Sequence, residues 1–256
     1  MEYLRGFRKL REDPEWLSKL GVGSLLLLSA MVVPFLGQVT IAGWTALILR
    51  RAVAGQDDRL PTLDFSFDYL GKLFGTGFKG FVAAFVWGLP AGLVIGVGVV
   101  GLYLGMMFGV IAASSSGEGG AMLGVLCVFA VALPTVMILG TLLALPAQMA
   151  LIRAEVADDL NQGLQFGPVI EMTRKVFREL LIGALILGVV QTVLVFGSLL
   201  LCYLPLLPSM VAMQVARAHV GAQLYQLYLE RGGQALPMGP LDVDPRTASR
   251  GVAQAF

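Results

Sequence analysis

Few side chains in this sequence could do chemistry. His219 is the only histidine, and no second imidazole, carboxylate or thiolate is spaced to complete a metal site with it. Cys127 and Cys202 lie in apolar runs without Cys-x-x-Cys spacing. They read as buried small apolar side chains, and spacing alone gives no support for a disulfide between them. Ser114-Ser115-Ser116-Gly117 is a turn, and no nucleophile elbow, zinc-protease helix, phosphate loop or dinucleotide fingerprint is present. The sequence therefore predicts no catalytic, cofactor-binding or metal residue, and a non-enzymatic protein.

What remains is polar but uncharged. Gln38, Thr40, Thr45, Thr135, Thr141, Gln148, Gln191, Thr192 and Gln214 interrupt apolar runs. Each needs a hydrogen-bond partner, because hydrocarbon offers none. Interhelical bonding accounts for them. A polar cavity lined by Gln38, Gln148, Gln191 and Gln214 is the sharper alternative. No Asp, Glu, Lys or Arg falls in the middle of an expected span, so a proton relay has no obvious carrier.

These residues sit in an unusual solvent. The chain is 57% hydrophobic and 14% charged, with mean hydropathy +0.79. Soluble domains carry about a quarter charged residues. A net charge of +1 leaves no nucleic-acid footprint. The 18 Lys and Arg residues fall in clusters at 5–19, 50–79, 153–178, 217–231 and 246–250. The turns at 34–37, 113–121 and 203–208 carry none. Cationic loops alternating with cation-free turns point to a multi-pass protein with its basic face, and both termini, in the cytoplasm.

The expected fold is all-α: a polytopic membrane protein of six transmembrane helices as three hairpins, plus two amphipathic interfacial helices on the cytoplasmic side. Residues 1–19 form a basic leader and helix start, with Asp13-Pro14-Glu15-Trp16 as cap, first turn and interfacial anchor. Residues 20–230 form the transmembrane domain, with hairpins at 20–54, 80–151 and 180–228. The first run is short for two crossings of about 30 Å, which leaves a re-entrant hairpin as the competing topology. Residues 231–256 are Gly/Pro-rich and read as a flexible tail. Arg217 and His219 are expected at or beyond the inner interface.

The connectors 63–79 and 168–179 are helical stripes. Leu63, Phe67, Leu70, Phe74, Phe78 and Phe81 share one side of the first, although Gly71, Gly75, Gly77 and Gly80 weaken it. In the second, Val169, Met172, Val176, Phe177 and Leu180 oppose Glu171, Arg174, Lys175 and Arg178. Phe67, Phe74, Phe78, Phe177, Arg174, Lys175 and Arg178 are the candidate contacts for lipid or a protein partner. The connectors also align at one constant offset, pairing Arg50 with Arg153, Lys72 with Lys175 and Gly80 with Gly183, as an internal repeat would. Gly88, Gly92, Gly96, Gly101, Gly105 and Gly109 recur every four residues around one phase break. Such a glycine zipper predicts close helix packing, within the chain or in a homo-oligomer.

Three stretches resemble a prokaryotic integral-membrane family of uncharacterised function, domain of unknown function 4013. They are Glu12-Asp13-Pro14-Glu15-Trp16 with Lys19, the Pro34/Gly37 break, and Arg51 to Phe65 with its Gly55-Gln56-Asp57-Asp58 and Leu60-Pro61-Thr62-Leu63-Asp64-Phe65 segments. The resemblance extends to about residue 220 and implies the architecture, but no activity. The leading expectation is a membrane module organising lipid or a protein partner at the cytoplasmic face. The rival is a small-solute transporter or channel lined by the intramembrane Gln and Thr residues.

Overall fold

The computed structural model describes residues 1–30, 32–116 and 119–243. Among them the chain is helical, without strands: α1 (Arg5–Glu12), α2 (Trp16–Ser29), α3 (Leu36–Val53), α4 (Phe67–Ser116), α5 (Gly119–Ala157), α6 (Leu160–Leu164), α7 (Phe166–Lys175), α8 (Phe177–Leu200) and α9 (Leu206–Glu230). Segments Phe67–Ile111, Leu126–Ala157 and Phe177–Leu200 are long and apolar enough to cross a membrane. Helix α2 is apolar but only 14 residues long. The chain divides into two compact units, Met1–Ala84 with Met149–Phe256, and Phe85–Gln148.

The larger unit is centred on α3 and α9. Both are enclosed along most of their length, with Trp44, Leu47, Val211, Val215 and Tyr228 fully or almost fully buried. Small residues let the other helices close on them. A Cβ at Gly6 of α1 would collide with the Ala216 backbone of α9. A Cβ at Gly43 would land on the Leu73 carbonyl, and one at Gly77 on the Val39 carbonyl. Helices α3 and the start of α4 thus run antiparallel with their backbones touching.

That contact corrects the first connector. Residues 67–79 are the opening turns of α4 and not a separate interfacial helix. Tyr69, Leu73, Thr76 and Gly77 face the core. Phe67 and Phe78 of the expected apolar stripe point outward, and Phe74 is half-buried. Gly77 costs helix propensity but gives α3 its closest approach, and packing outweighs propensity here. The second connector is helical, in α7 and the first turn of α8, with Val169, Met172 and Val176 buried. Phe177 differs. The chain breaks at Val176 between α7 and α8, which turns the Phe177 ring outward.

In the smaller unit α4 and α5 pack antiparallel. A Cβ at Gly98 would meet the Val136 side chain, and one at Gly140 would meet Ile95. The expected zipper is not the intrachain seam. Added Cβ atoms at Gly88, Gly92, Gly96, Gly101 and Gly105 would meet nothing within 4 Å. Gly109 is half-buried. Gly101 and Gly105 instead line an apolar groove of about 350 Å³ with Met106, Val128 and Phe129. The seam uses one glycine from each helix, so a period of four on α4 alone did not reveal it. Cys127 and Cys202 are free and exposed, which corrects their expected burial.

The two glycine classes separate experimentally. Gly77→Leu should cost about 3 kcal/mol or more through overpacking against the α3 backbone. Gly92→Leu should leave the melting temperature of the monomer in detergent within a few degrees. Equal melting of the two variants would refute the assignment of the seam.

Candidate functional site

The polar residues of the larger unit gather at the base of its hairpins, where two clusters form. The first is built on the leader. Asp13 sits just before α2, and its Oδ1 accepts from the Glu15 amide at 2.9 Å. Its Oδ2 accepts from Lys19 Nζ at 2.8 Å and from the Leu60 amide at 3.0 Å. Lys19 Nζ also donates to the Leu60 carbonyl at 3.1 Å. Asp13 and Lys19 are both buried. The loop from α3 to α4 is then gripped residue by residue. Arg5 of α1 pairs with Asp57 at 2.6 Å, the Trp44 indole donates to the Pro61 carbonyl, and the Tyr69 hydroxyl donates to the Thr62 carbonyl.

Burial pushes the Asp13 carboxyl upward, but the Lys19 ammonium and the Glu15 and Leu60 amides outweigh it and hold it below the usual carboxylate range. Asp57 follows the same balance, with Arg5 as the dominant opposing partner. Beside this lock lies a groove of about 280 Å³ lined by both charge signs, including Asp13, Glu15, Lys19, Arg51, Arg59 and Asp242.

The second cluster surrounds Arg50, whose side chain has no exposed surface. Its Nε donates to the Glu155 carbonyl, Nη1 to the Pro240 carbonyl at 3.1 Å and Nη2 to Asp158 Oδ1 at 2.9 Å. Asp158 stands at φ +53°, a left-handed conformation that Asp tolerates better than most residues, and Lys79 reaches its other oxygen at 3.0 Å. Arg51 beside it donates to the Leu241 carbonyl and pairs with Asp242 at 3.0 Å. The segment expected as a flexible tail is therefore docked over 234–242. The Gln234 and Leu236 amides donate to the Tyr228 and Tyr225 hydroxyls, and the Gly239 amide to the Val156 carbonyl. Tail residues 244–256 lie outside the described residues. Arg153, which the sequence alignment of the connectors pairs with Arg50, is likewise buried and donates its Nε to a main-chain carbonyl, that of Gln162.

A third region is the corner between α7 and α8. Phe177 and Arg178 are exposed there, as are Arg174 in the last turn of α7 and Phe166 at its start. Lys175 is half-buried, paired with Glu171 at 2.8 Å and placed over the Tyr228 ring. A groove of about 510 Å³ is lined by Phe166, Gly167, Ile170, Glu171, Arg174 and Lys175. Phe166 escaped the sequence reading, which started its helix at Pro168. The candidate contacts Phe67, Phe74 and Phe78 lie on α4, apart in sequence from this corner, and the first of them is 90% exposed.

The four glutamines line none of these grooves. Gln38 and Gln148 are exposed, and Gln214 is half-buried. Gln191 accepts from Arg217 at 2.6 Å. Arg217 follows Ala216, the residue against which the cationic helix α1 packs.

The lock makes a pH-dependent prediction. The Asp13 carboxyl is depressed when folded, so its contribution is present above about pH 4, the unfolded value, and is lost as acid titrates the folded group. Asp13→Asn strands Lys19 in a buried site and should cost about 3–5 kcal/mol at neutral pH. Asp13→Asn with Lys19→Met should recover part of that loss. A double variant less stable than either single one would show that the pair is not coupled.

No curated protein and no solved structure matches the chain. A family does match, over residues 26–203, and its description is Protein of unknown function (DUF4013). The matched range contains the Pro34/Gly37 break and the gripped loop of residues 54–66, while the Asp13–Lys19 lock precedes it. With most of its length matched, the chain is a member of this family of unknown function.

Proposed function

We propose that the protein is a non-enzymatic membrane module that gathers anionic lipid at the cytoplasmic face of a prokaryotic inner membrane. Helices α4, α5 and α8 carry the crossings in this reading, supported by their length and apolarity. Helix α9, at 25 residues, returns the chain to the inside. The clustering of cations at one end of the hairpins supports the orientation.

The observation that carries the lipid reading is the α7–α8 corner. Phe166 and Arg174 are exposed along α7, and Phe177 and Arg178 are exposed at the start of α8. Aromatic rings beside guanidinium groups suit the headgroup layer, where the ring enters the acyl boundary and the cation meets phosphate. The corner stands on a helix whose opposite side, Val169 and Met172, is fixed in the core. A rigid helix loses little entropy when lipid binds it. A protein partner using the same corner is the competing occupant.

Each exposed cation is worth about 1 kcal/mol against an anionic surface. Arg174→Gln with Arg178→Gln should therefore weaken retention of phosphatidylglycerol by roughly thirty-fold. The readout is native mass spectrometry of protein released from mixed phosphatidylcholine/phosphatidylglycerol nanodiscs. Retention unchanged by the double substitution would remove the lipid role and turn attention to a protein partner at this corner.

A further inference from the structure

The first hairpin, α2–α3, is where the structure departs most from a simple set of crossings. Its register against α4 is fixed by three contacts within the larger unit. Gly43 meets Leu73, Val39 meets Gly77, and the Phe35 ring lies 5.8 Å from that of Phe81. The whole apolar part of α3 therefore runs alongside the opening turns of α4, the stretch that carries Lys72 and Lys79. Lys79 is held by Asp158 in the polar base. The hairpin turn thus meets α4 only two residues beyond a paired cation. A crossing hairpin would carry its turn past roughly 20 residues of a neighbour's apolar run.

Length agrees. Helix α2 has 14 residues, which rise about 21 Å against a hydrocarbon core of about 30 Å. Its foot cannot slide, because Lys19 and Asp13 are bonded to both main-chain groups of Leu60.

The turn itself is built for hydrocarbon and not for water. Val32, Val33, Phe35 and Leu36 are all exposed on the protein, Val32 at 83%. Several of its backbone donors are spent internally. The Val32 and Val33 amides donate to the Ser29 carbonyl, the Leu36 amide to Val33 and the Val39 amide to Phe35. Pro34 has no amide hydrogen. Non-helical backbone survives at membrane depth only when its polar groups are satisfied in this way. The sequence between the apolar runs of α4 and α5, Ser114 to Gly120, by contrast carries no apolar side chain.

We infer that α2–α3 is a re-entrant hairpin whose exposed Val32–Leu36 turn docks among the acyl chains of the leaflet it enters and returns to the same face. This rests on the membrane reading above but not on the lipid-gathering role.

Single-cysteine proteins in a Cys127→Ser, Cys202→Ser background test it in sealed liposomes. Gln56→Cys and Ser115→Cys should label with a membrane-impermeant maleimide from opposite faces. Val32→Cys should resist that reagent from both faces. A bimane attached to residue 32 before reconstitution should be quenched by doxyl-labelled lipids within the leaflet on the Gln56 side. Labelling of Val32→Cys from the Ser115 face would show a full crossing and overturn the inference. Labelling from the Gln56 face would show a hairpin that never enters lipid, and would overturn it equally. If Gln56→Cys and Ser115→Cys label from one face, the membrane topology itself fails and takes the hairpin with it.

Discussion

A charged or polar group enclosed among apolar side chains must find its partners inside the protein, and the larger unit is organised by that requirement. Arg50 has no exposed surface, so its guanidinium draws in the end of α5, the Asp158 corner and the main chain near Pro240. Lys19 and Asp13 do the same for the loop at Leu60. Leaving one such group unpaired costs more than a formed pair returns, because its lost hydration is not replaced. The penalty acts across long sequence separations. It ties α1, the first hairpin, the end of α5 and the C-terminal strap into one base, while the apolar tips above are held by shape alone.

The class of fold was legible because cation placement and hydropathy are summed over many residues, and a few exceptions do not alter the sum. The inner side of α7 was legible for a related reason, since Val169, Met172 and Val176 repeat at helical spacing. What escaped were interactions without a one-dimensional signature. Gly77 looks like a weakness in a helix until α3 lies against it. Phe177 falls on the inward side of an unbroken helix, but the break at Val176 resets the phase. The strap at 234–242 is held largely through its amides and carbonyls, and any sequence can supply those. Asp13, Pro14 and Lys19 were singled out as a cap and a cation. Their distant partner, the Leu60 backbone, was not foreseeable.

The placement of polar groups bears on the choice between a lipid module and a solute path. A path needs its polar lining to converge on shared space. Gln38 and Gln148 instead face outward, and Gln191 is engaged by Arg217. Thr135, Thr141 and Thr192 each return their hydroxyl to the carbonyl four residues earlier, which removes their need for a partner across the bundle. These groups are made compatible with hydrocarbon one at a time. The charged and aromatic groups of α7 and the start of α8, by contrast, are exposed within one short stretch of chain, 166–178.

Taken together, the two proposals, a half-depth hairpin and an aromatic-basic lipid contact at the same face, have a joint physical consequence. Material inserted into one leaflet displaces acyl chains there without displacing them opposite. The headgroups around the hairpin are spread, and apolar surface below them is uncovered. Aromatic rings such as Phe166 and Phe177 gain most where such gaps exist, because ring burial then requires less separation of headgroups. Arg174 and Arg178 meanwhile draw anionic headgroups toward the same leaflet. In this reading the hairpin and the corner would be coupled through the lipid between them, with no need for a protein contact to carry the coupling. On this argument the rigid base matters because it fixes the height of the hairpin, and that height decides how much of the leaflet is displaced.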